Sequence, residues 1–284
     1  VSEFWSLFRQ NKGAVAGLLL VVLVTLIAFL APLIAPYDYT FSDGAALRSA
    51  PMWSEGSNSN YLLGTDDLGR DLLSRLIYGA RVSLGIGFFV VLFTTFFGLV
   101  LGLIAGSLGG KVDAVMMRLM DIIMSLPSIL LAIVVVAILG PSLTNTVIAV
   151  GIVSLPHVVR VVRASVMVEK KKNYVIASQT FGASWFRIYV LGVLPNCMAP
   201  LLVQASFGFS DGILNAAALG FLGLGAQPPI PEWGTMLSDS RAYIESAPWL
   251  VTLPGLCILV TVIAFNLLGD GLRDALDPKT KRNS

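Results

Sequence analysis

The stretch "VSLGIGFFVVLFTTFFGLVLGLIAG", residues 82–106, runs for 25 residues without one charge. As a helix it is about 37 Å long at 1.5 Å per residue, enough to cross a hydrocarbon layer of about 30 Å. It does not alternate apolar with polar residues, so it is no barrel strand. Lipid leaves the helix as the other way to satisfy its backbone. Working outward, comparable runs lie at 14–36, 114–139, 146–166, 197–220 and 249–269, which makes about six spans. The fold class is therefore all-α, a polytopic membrane protein. Composition agrees: 13% of residues are charged and 56% hydrophobic, whereas soluble domains carry about 25% charged residues.

Charge orients the chain. With the N-terminus inside, about fourteen Lys and Arg face the inner side and about five the outer side, which puts both termini on the inner side. A net charge of +2 without a basic cluster argues against nucleic acid as a partner. Cys197 and Cys257 both sit in apolar runs, and His157 is the lone histidine, so a multi-histidine metal centre is excluded. The first apolar run follows Arg9 and Lys12 as a signal peptide would. It is long enough to span and no small-residue cleavage site follows it, so a retained anchor is expected. Phe4, Leu7 and Phe8, with Trp5 beside them, predict a short helix on the membrane surface.

The expected organisation is a surface helix and first anchor over 1–36, an outer segment over 37–81, a five-helix core over 82–272 and a tail over 273–284. The core carries an inner insert at 167–196 and an outer loop at 221–248. In the outer segment Thr65 or Asp66 can cap a helix whose apolar face is Leu72, Leu73, Leu76 and Ile77, with Asp71 and Arg75 as an i,i+4 ion pair. The prolines of "GAQPPIPEWGTMLSDSRAY" forbid continuous helix and predict a rigid loop followed by a short one. Both outer segments fit either a cover for helix ends or a docking face for a soluble partner. Gly98, Gly102 and Gly106 repeat every fourth residue, which lets a neighbouring backbone approach, within this chain or from another subunit. Pro127 and Pro156 are expected to kink their helices.

The polar insert reads as two helices. Tyr174, Ala177, Ser178 and Phe181 share one helical face. Gly182 offers the positive φ that stops a helix, and Ser184 caps the next, from Trp185 to about Leu194. Pro195 ends it and Asn196 caps span five. Such a knob suits a groove on another protein; an amphipathic helix resting on lipid is the alternative.

Ala177-Ser178, Gly182 and Leu194-Pro195 resemble the EAA loop of ABC-transporter permeases. Ile176 stands where Glu is usual, Ser178 where a second Ala is, and Gly192 where an Ile is common. "LGTDDLGRDLLSRLIYGARVSL", "ALGFLGLGAQPPIPEWGTMLSD" and "NLLGDGLRDALDPK" extend the resemblance over nearly the whole chain, to the C-type permeases of dipeptide, oligopeptide and nickel importers. The resemblance implies a type I ABC importer in the bacterial inner membrane. It implies a heterodimer with a paralogous B-type permease, two cytoplasmic ATPases and a periplasmic substrate-binding protein. ATP and Mg would sit on the partner ATPases, with no cofactor and no catalysis in this chain. The insert would be the coupling helix, with Tyr174, Ala177, Ser178, Phe181, Gly182, Ala183 and Pro195 as its working residues. Cargo would be dipeptides or oligopeptides, with nickel or another small solute as the alternative.

Other motifs weigh against catalysis. "AGSLGGKV" fails the phosphate-loop pattern at Ala105 and Val112. "GFSDG" matches a serine nucleophile elbow at Ser210, with His157 as base, but it lies inside an apolar helix rather than a strand-to-helix turn. A carboxylate at mid-bilayer costs about 2.5–3.5 kcal/mol, so Asp211 should face protein or water. With Gln204 and Asn215 it forms a polar stripe that either lines the translocation path or packs against another span. Asp121 sits near the inner surface, where Arg118 could pair with it. The scarcity of acidic residues in the spans tells against a proton-coupled carrier.

Overall fold

The computed structural model describes residues 2–54 and 57–276. In chain order the helices are α1 (Ser2–Gln10), α2 (Lys12–Phe29), α3 (Ala31–Ile34), α4 (Leu72–Leu108), α5 (Gly110–Met124) and α6 (Ser128–Leu139). Then follow α7 (Leu143–Glu169), α8 (Asn173–Thr180), α9 (Met198–Phe221), α10 (Trp233–Asp239) and α11 (Trp249–Leu276). Among the described residues there is no strand; isolated bridges such as Ser42–Arg70 and Thr65–Asp71 pin the 37–71 segment. Among the described residues five helices are long and apolar enough to cross a membrane, and α5 with α6, bent by 91°, makes a sixth when the pair is counted as one span. Two ends of the bundle are distinguishable, a loop end carrying 37–71 and 222–248 and an insert end carrying 170–197.

Span two begins ten residues earlier than the apolar run alone predicts. Asp71 is its cap, accepting from the Ser74 N–H at 2.8 Å and the Ser74 hydroxyl at 2.6 Å. An N-cap carboxylate folded over the first turn cannot also reach along the helix, so the expected Asp71–Arg75 pair does not form. Arg75 instead lies 3.4 Å from Asp66, which also holds Arg70 at 2.6 Å. Thr65 caps nothing: its hydroxyl donates to Ala46 and accepts from the Ser49 N–H, so it ties loop to loop. Leu72 and Leu76 are buried against α9, α10 and α11 as the pattern predicts.

The glycine ladder packs inside the chain. A Cβ at Gly98, Gly102 or Gly106 would come within 2.5, 2.7 and 2.8 Å of Val158, Val162 and Val166 in turn. Three α4 glycines thus face three α7 valines at matching four-residue spacing, and the two backbones close to near contact. Pro127 does more than kink. It removes a helical donor and holds extended backbone (ψ 127°), so α5 stops at Met124 and α6 restarts at Ser128. Pro156 sits inside α7 without interrupting it.

The surface helix α1 turns its apolar side to protein. Phe8 is buried and packs with Ala14 and Ala275, while Trp5 stays exposed. Asn11 accepts from the Ala14 N–H and donates to Asp274, so α1 is clamped to the end of α11. Residues 277–284, most of the expected tail, lie outside the described residues.

At the loop end Glu232 is 2% exposed. It caps α10, accepting from the Gly234 and Thr235 N–H groups at 2.8 Å each and from the Ser83 hydroxyl at 3.3 Å. The Trp233 indole donates to the Leu76 carbonyl at 3.1 Å. Burial pushes the Glu232 carboxyl above its ordinary value, against the pull of those three donors. A raised folded value favours the folded state most below the ordinary glutamate value of 4.5, and the advantage is lost as pH climbs through the folded value. The melting temperature of the purified protein is therefore expected to fall between pH 5 and pH 8, and Glu232→Gln to flatten that slope. An unchanged slope in the variant would remove Glu232 as its source.

Candidate functional site

The insert is built around one turn. α8 ends at Thr180, and Gly182 takes φ 72°. The Gly182 N–H reaches the Gln179 carbonyl and the Ala183 N–H the Ser178 carbonyl, both at 3.0 Å. That pair of bonds is a Schellman stop, which requires a left-handed residue where Gly182 stands. Phe181, just before the turn, is 89% exposed. With exposed Ile176 and Phe186 it makes an apolar tip, and Ala177 is exposed beside it. Ser184 accepts the Arg187 N–H at 3.4 Å, the expected cap of the second arm.

The second arm departs from expectation. Phe186–Val193 is a π-helix and Leu194–Cys197 a 3-10 turn, after which α9 continues; the whole of Phe186–Phe221 runs as one 36-residue span. Pro195 therefore does not end the helix. The widened turn ahead of it, where Leu194 N–H bonds to Tyr189 five residues back, leaves room for a ring that an α-turn would not accept. Asn196 does not cap α9 either. Its amide donates to the Gly192 carbonyl at 2.9 Å and to the Tyr174 hydroxyl at 3.2 Å. Tyr174 in turn donates to Glu169 at 2.8 Å, which Lys172 also meets at 2.7 Å. Burial and that carboxylate hold the Tyr174 phenol above its usual range. Tyr174 thus braces the root of the insert rather than joining its tip.

Three further residues seat the knob. Val175 is 0% exposed and lies in one cluster with Val166, Val193 and Cys197. The Lys170 ammonium donates to the Gly106 carbonyl at 2.7 Å, and the Trp185 indole to the Ser107 hydroxyl at 3.2 Å. A cation at the last carbonyls of α4 also matches the negative end of that helix. The insert is therefore bolted to α4 as well as to α7 and α9. The i,i+3,i+4,i+7 pattern missed Val175 because it picked the neighbouring face, and nothing local separates it from Ile176, the adjoining β-branched apolar residue, which is exposed.

Midway along the spans, Gln204, Asp211 and Asn215 do come together. They line a cavity of about 260 Å³ with Thr94 of α4, Ser154 and His157 of α7, and the α5–α6 break at Leu126 and Ser128. Asp211 is ten residues from Phe221, about 15 Å along the helix, and its side chain is exposed on the cavity side. Among the described residues no hydrogen bond or ion pair reaches its carboxylate; Asn215 donates to its backbone carbonyl instead, at 2.8 Å. Ser210 points elsewhere. It is buried, 2% exposed, and donates to the Val262 carbonyl at 3.3 Å, so Ser210 and His157 form no dyad. Asp121 pairs with Arg160 at 2.6 Å, not with Arg118, and Arg163 holds Asp113 through two bonds, one of 2.6 Å. Each bridge fastens α5 to α7, because the break at Pro127 swings α5 against that helix.

The chain's likeness to known proteins bears on this arrangement. Residues 98–282 match the profile of the binding-protein-dependent transport system inner membrane component. Residues 1–51 match the N-terminal TM domain of oligopeptide transport permease C. The di/tripeptide transport system permease protein DppC of Pseudomonas aeruginosa is 57% identical over 99% of this chain and 93% of its own length. The dipeptide transport system permease proteins DppC of Escherichia coli K12 and Haemophilus influenzae are 59% and 54% identical, over 99% of this chain and 94% and 96% of theirs. With its spans, broken helix and braced insert, the chain belongs to the family of binding-protein-dependent transport system inner membrane components, as a multi-pass permease subunit.

Proposed function

We propose that this permease passes dipeptides or short oligopeptides across the bacterial inner membrane, as the peptide-permease relatives are named for doing. It works as a heterodimer with a paralogous B-type permease. A periplasmic binding protein delivers the cargo, and two cytoplasmic ATPases that bind ATP and Mg drive the cycle. Both termini and the 167–196 insert face the cytoplasm. The observation that carries this reading is the insert itself: an exposed apolar tip on a rigid, internally braced stem. Tyr174, Ala177, Ser178, Phe181, Gly182, Ala183 and Pro195 shape that stem and tip. A knob that must transmit rigid-body motion needs firm seating at its root and bare apolar surface at its end, and the Val175 cluster and the α4 ties provide the seating. Gln204, Asp211 and Asn215 line the path.

Proteoliposomes test this. The assembled heterodimer with its ATPases and binding protein is expected to accumulate labelled dialanine against a gradient when ATP is supplied on the insert side. The chain alone is expected to accumulate none. Uphill uptake by the lone chain would overturn the proposal.

A further inference from the structure

Asp211 is a carboxylate at mid-span, in a position that costs about 2.5–3.5 kcal/mol to place in a bilayer. It accepts no hydrogen bond among the described residues, and it borders a cavity whose wall includes His157, close enough to act on its charge. The polar groups around that cavity are uneven in kind. Asn215 places one of its two amide N–H donors on the Asp211 backbone, and its side-chain carbonyl accepts no hydrogen bond among the described residues. Gln204 lies two helical turns away on the same stripe of α9. One carboxylate and two amide carbonyls are acceptors, and an ammonium carries three donors. Apolar wall is supplied by Met124, Leu126 and Val153. A volume of about 260 Å³ lies just below the roughly 300 Å³ at which ligand pockets begin, enough for one end of a small peptide.

We propose that Asp211, with the side-chain carbonyls of Gln204 and Asn215, is a subsite for the α-ammonium group of the peptide in transit. The proposal rests on the peptide-permease reading and deepens it. The site favours a cation by charge and a primary ammonium by donor count. The open carboxylate then gives the moving peptide a defined leading end inside the membrane, independent of how the binding protein selected it. A rival occupant is a basic side chain of the paralogous permease, which would close the carboxylate to solutes.

The test uses the full assembly in proteoliposomes, with Cys197→Ala, Cys257→Ala and Ser154→Cys in this chain. Modification of the introduced thiol, read as a mass shift of this chain, is timed with a trimethylammonium methanethiosulfonate and a sulfonate one. The cationic-to-anionic rate ratio is expected to fall at least fivefold when Asp211→Asn is added, and Asp211→Glu to keep it. Dialanine is expected to slow the cationic reagent while Asp211 is present. In parallel, Asp211→Asn is expected to lower dialanine moved per ATP hydrolysed by at least fivefold while the recovered assembly is unchanged. An equal rate ratio with and without the carboxylate, or no modification by either reagent because a partner side chain seals the cavity, overturns the subsite. Failure of the unsubstituted assembly to move dialanine at all would instead overturn the peptide reading, so the two failures are separable.

Discussion

Val175→Asp is expected to cut co-purification of the partner ATPases at least tenfold while leaving the chain in the membrane. Val175 is 0% exposed within the cluster that joins α7, α8 and the root of α9. A carboxylate there has no partner in reach among its apolar neighbours, and burying an unpaired charge costs several kcal/mol. α8 escapes that cost by lifting off its seat, since it is joined to the spans by short exposed segments. Tenfold corresponds to about 1.4 kcal/mol, well inside that penalty. Val175→Ala supplies a graded comparison, because it leaves a small void of about 1–2 kcal/mol and no charge. Pull-down from membranes and ATP-driven uptake are the measurements. An aspartate variant that binds and transports as the parent does would mean that the insert is not seated through Val175.

The second large effect is expected from Gly182→Trp. The residue holds φ 72°, and a side chain in that left-handed region costs about 1–2 kcal/mol. Space does not forbid the substitution, since a Cβ there meets nothing within 4 Å. The strain is therefore in the backbone, and the added ring stands beside Phe181 at the tip. The fold of the spans is expected to survive, as judged by yield and gel-filtration profile, while peptide-stimulated ATP hydrolysis falls at least tenfold. Gly182→Asn, which tolerates left-handed backbone, is expected to keep most of the activity. Equal loss in both variants would point away from turn geometry as the cause.

What could be read ahead of the structure follows from which interactions are local. The spans were legible because lipid demands a long apolar run, and the Gly182 stop because glycine takes that conformation at the least cost. Pro127 was legible in kind but not in degree: a kink was expected and a 91° break is present. The start of α4 was not legible, since Asp71, Thr65 and Asp66 all cap helices well and only the fold of the 37–71 loop chooses among them. Pro195 misled for a related reason. Its local rule holds for α-turns, and a π-turn ahead of it removes the clash. The Asp121–Arg160 and Asp113–Arg163 bridges join positions 39 and 50 residues apart, and no spacing rule reaches that far. At the candidate path the stripe on α9 was visible from periodicity. Its enclosure by α4, α7 and the broken span is a tertiary fact.

The break at Pro127 also decides where the membrane keeps its electrical insulation. Ser125 answers the Asp121 and Ile122 carbonyls at the end of α5, but those of Ile123 and Met124 find no donor among the described residues, and in hydrocarbon each bare backbone group costs several kcal/mol. Water must reach them, and the adjoining cavity gives it a place to stand. Where that water is continuous with the insert side, the voltage across the bilayer drops mainly over the dry layer between the loop end and the cavity. A charged group entering from the loop end does most of its electrical work before it reaches Asp211, and little on the remaining journey to the insert end.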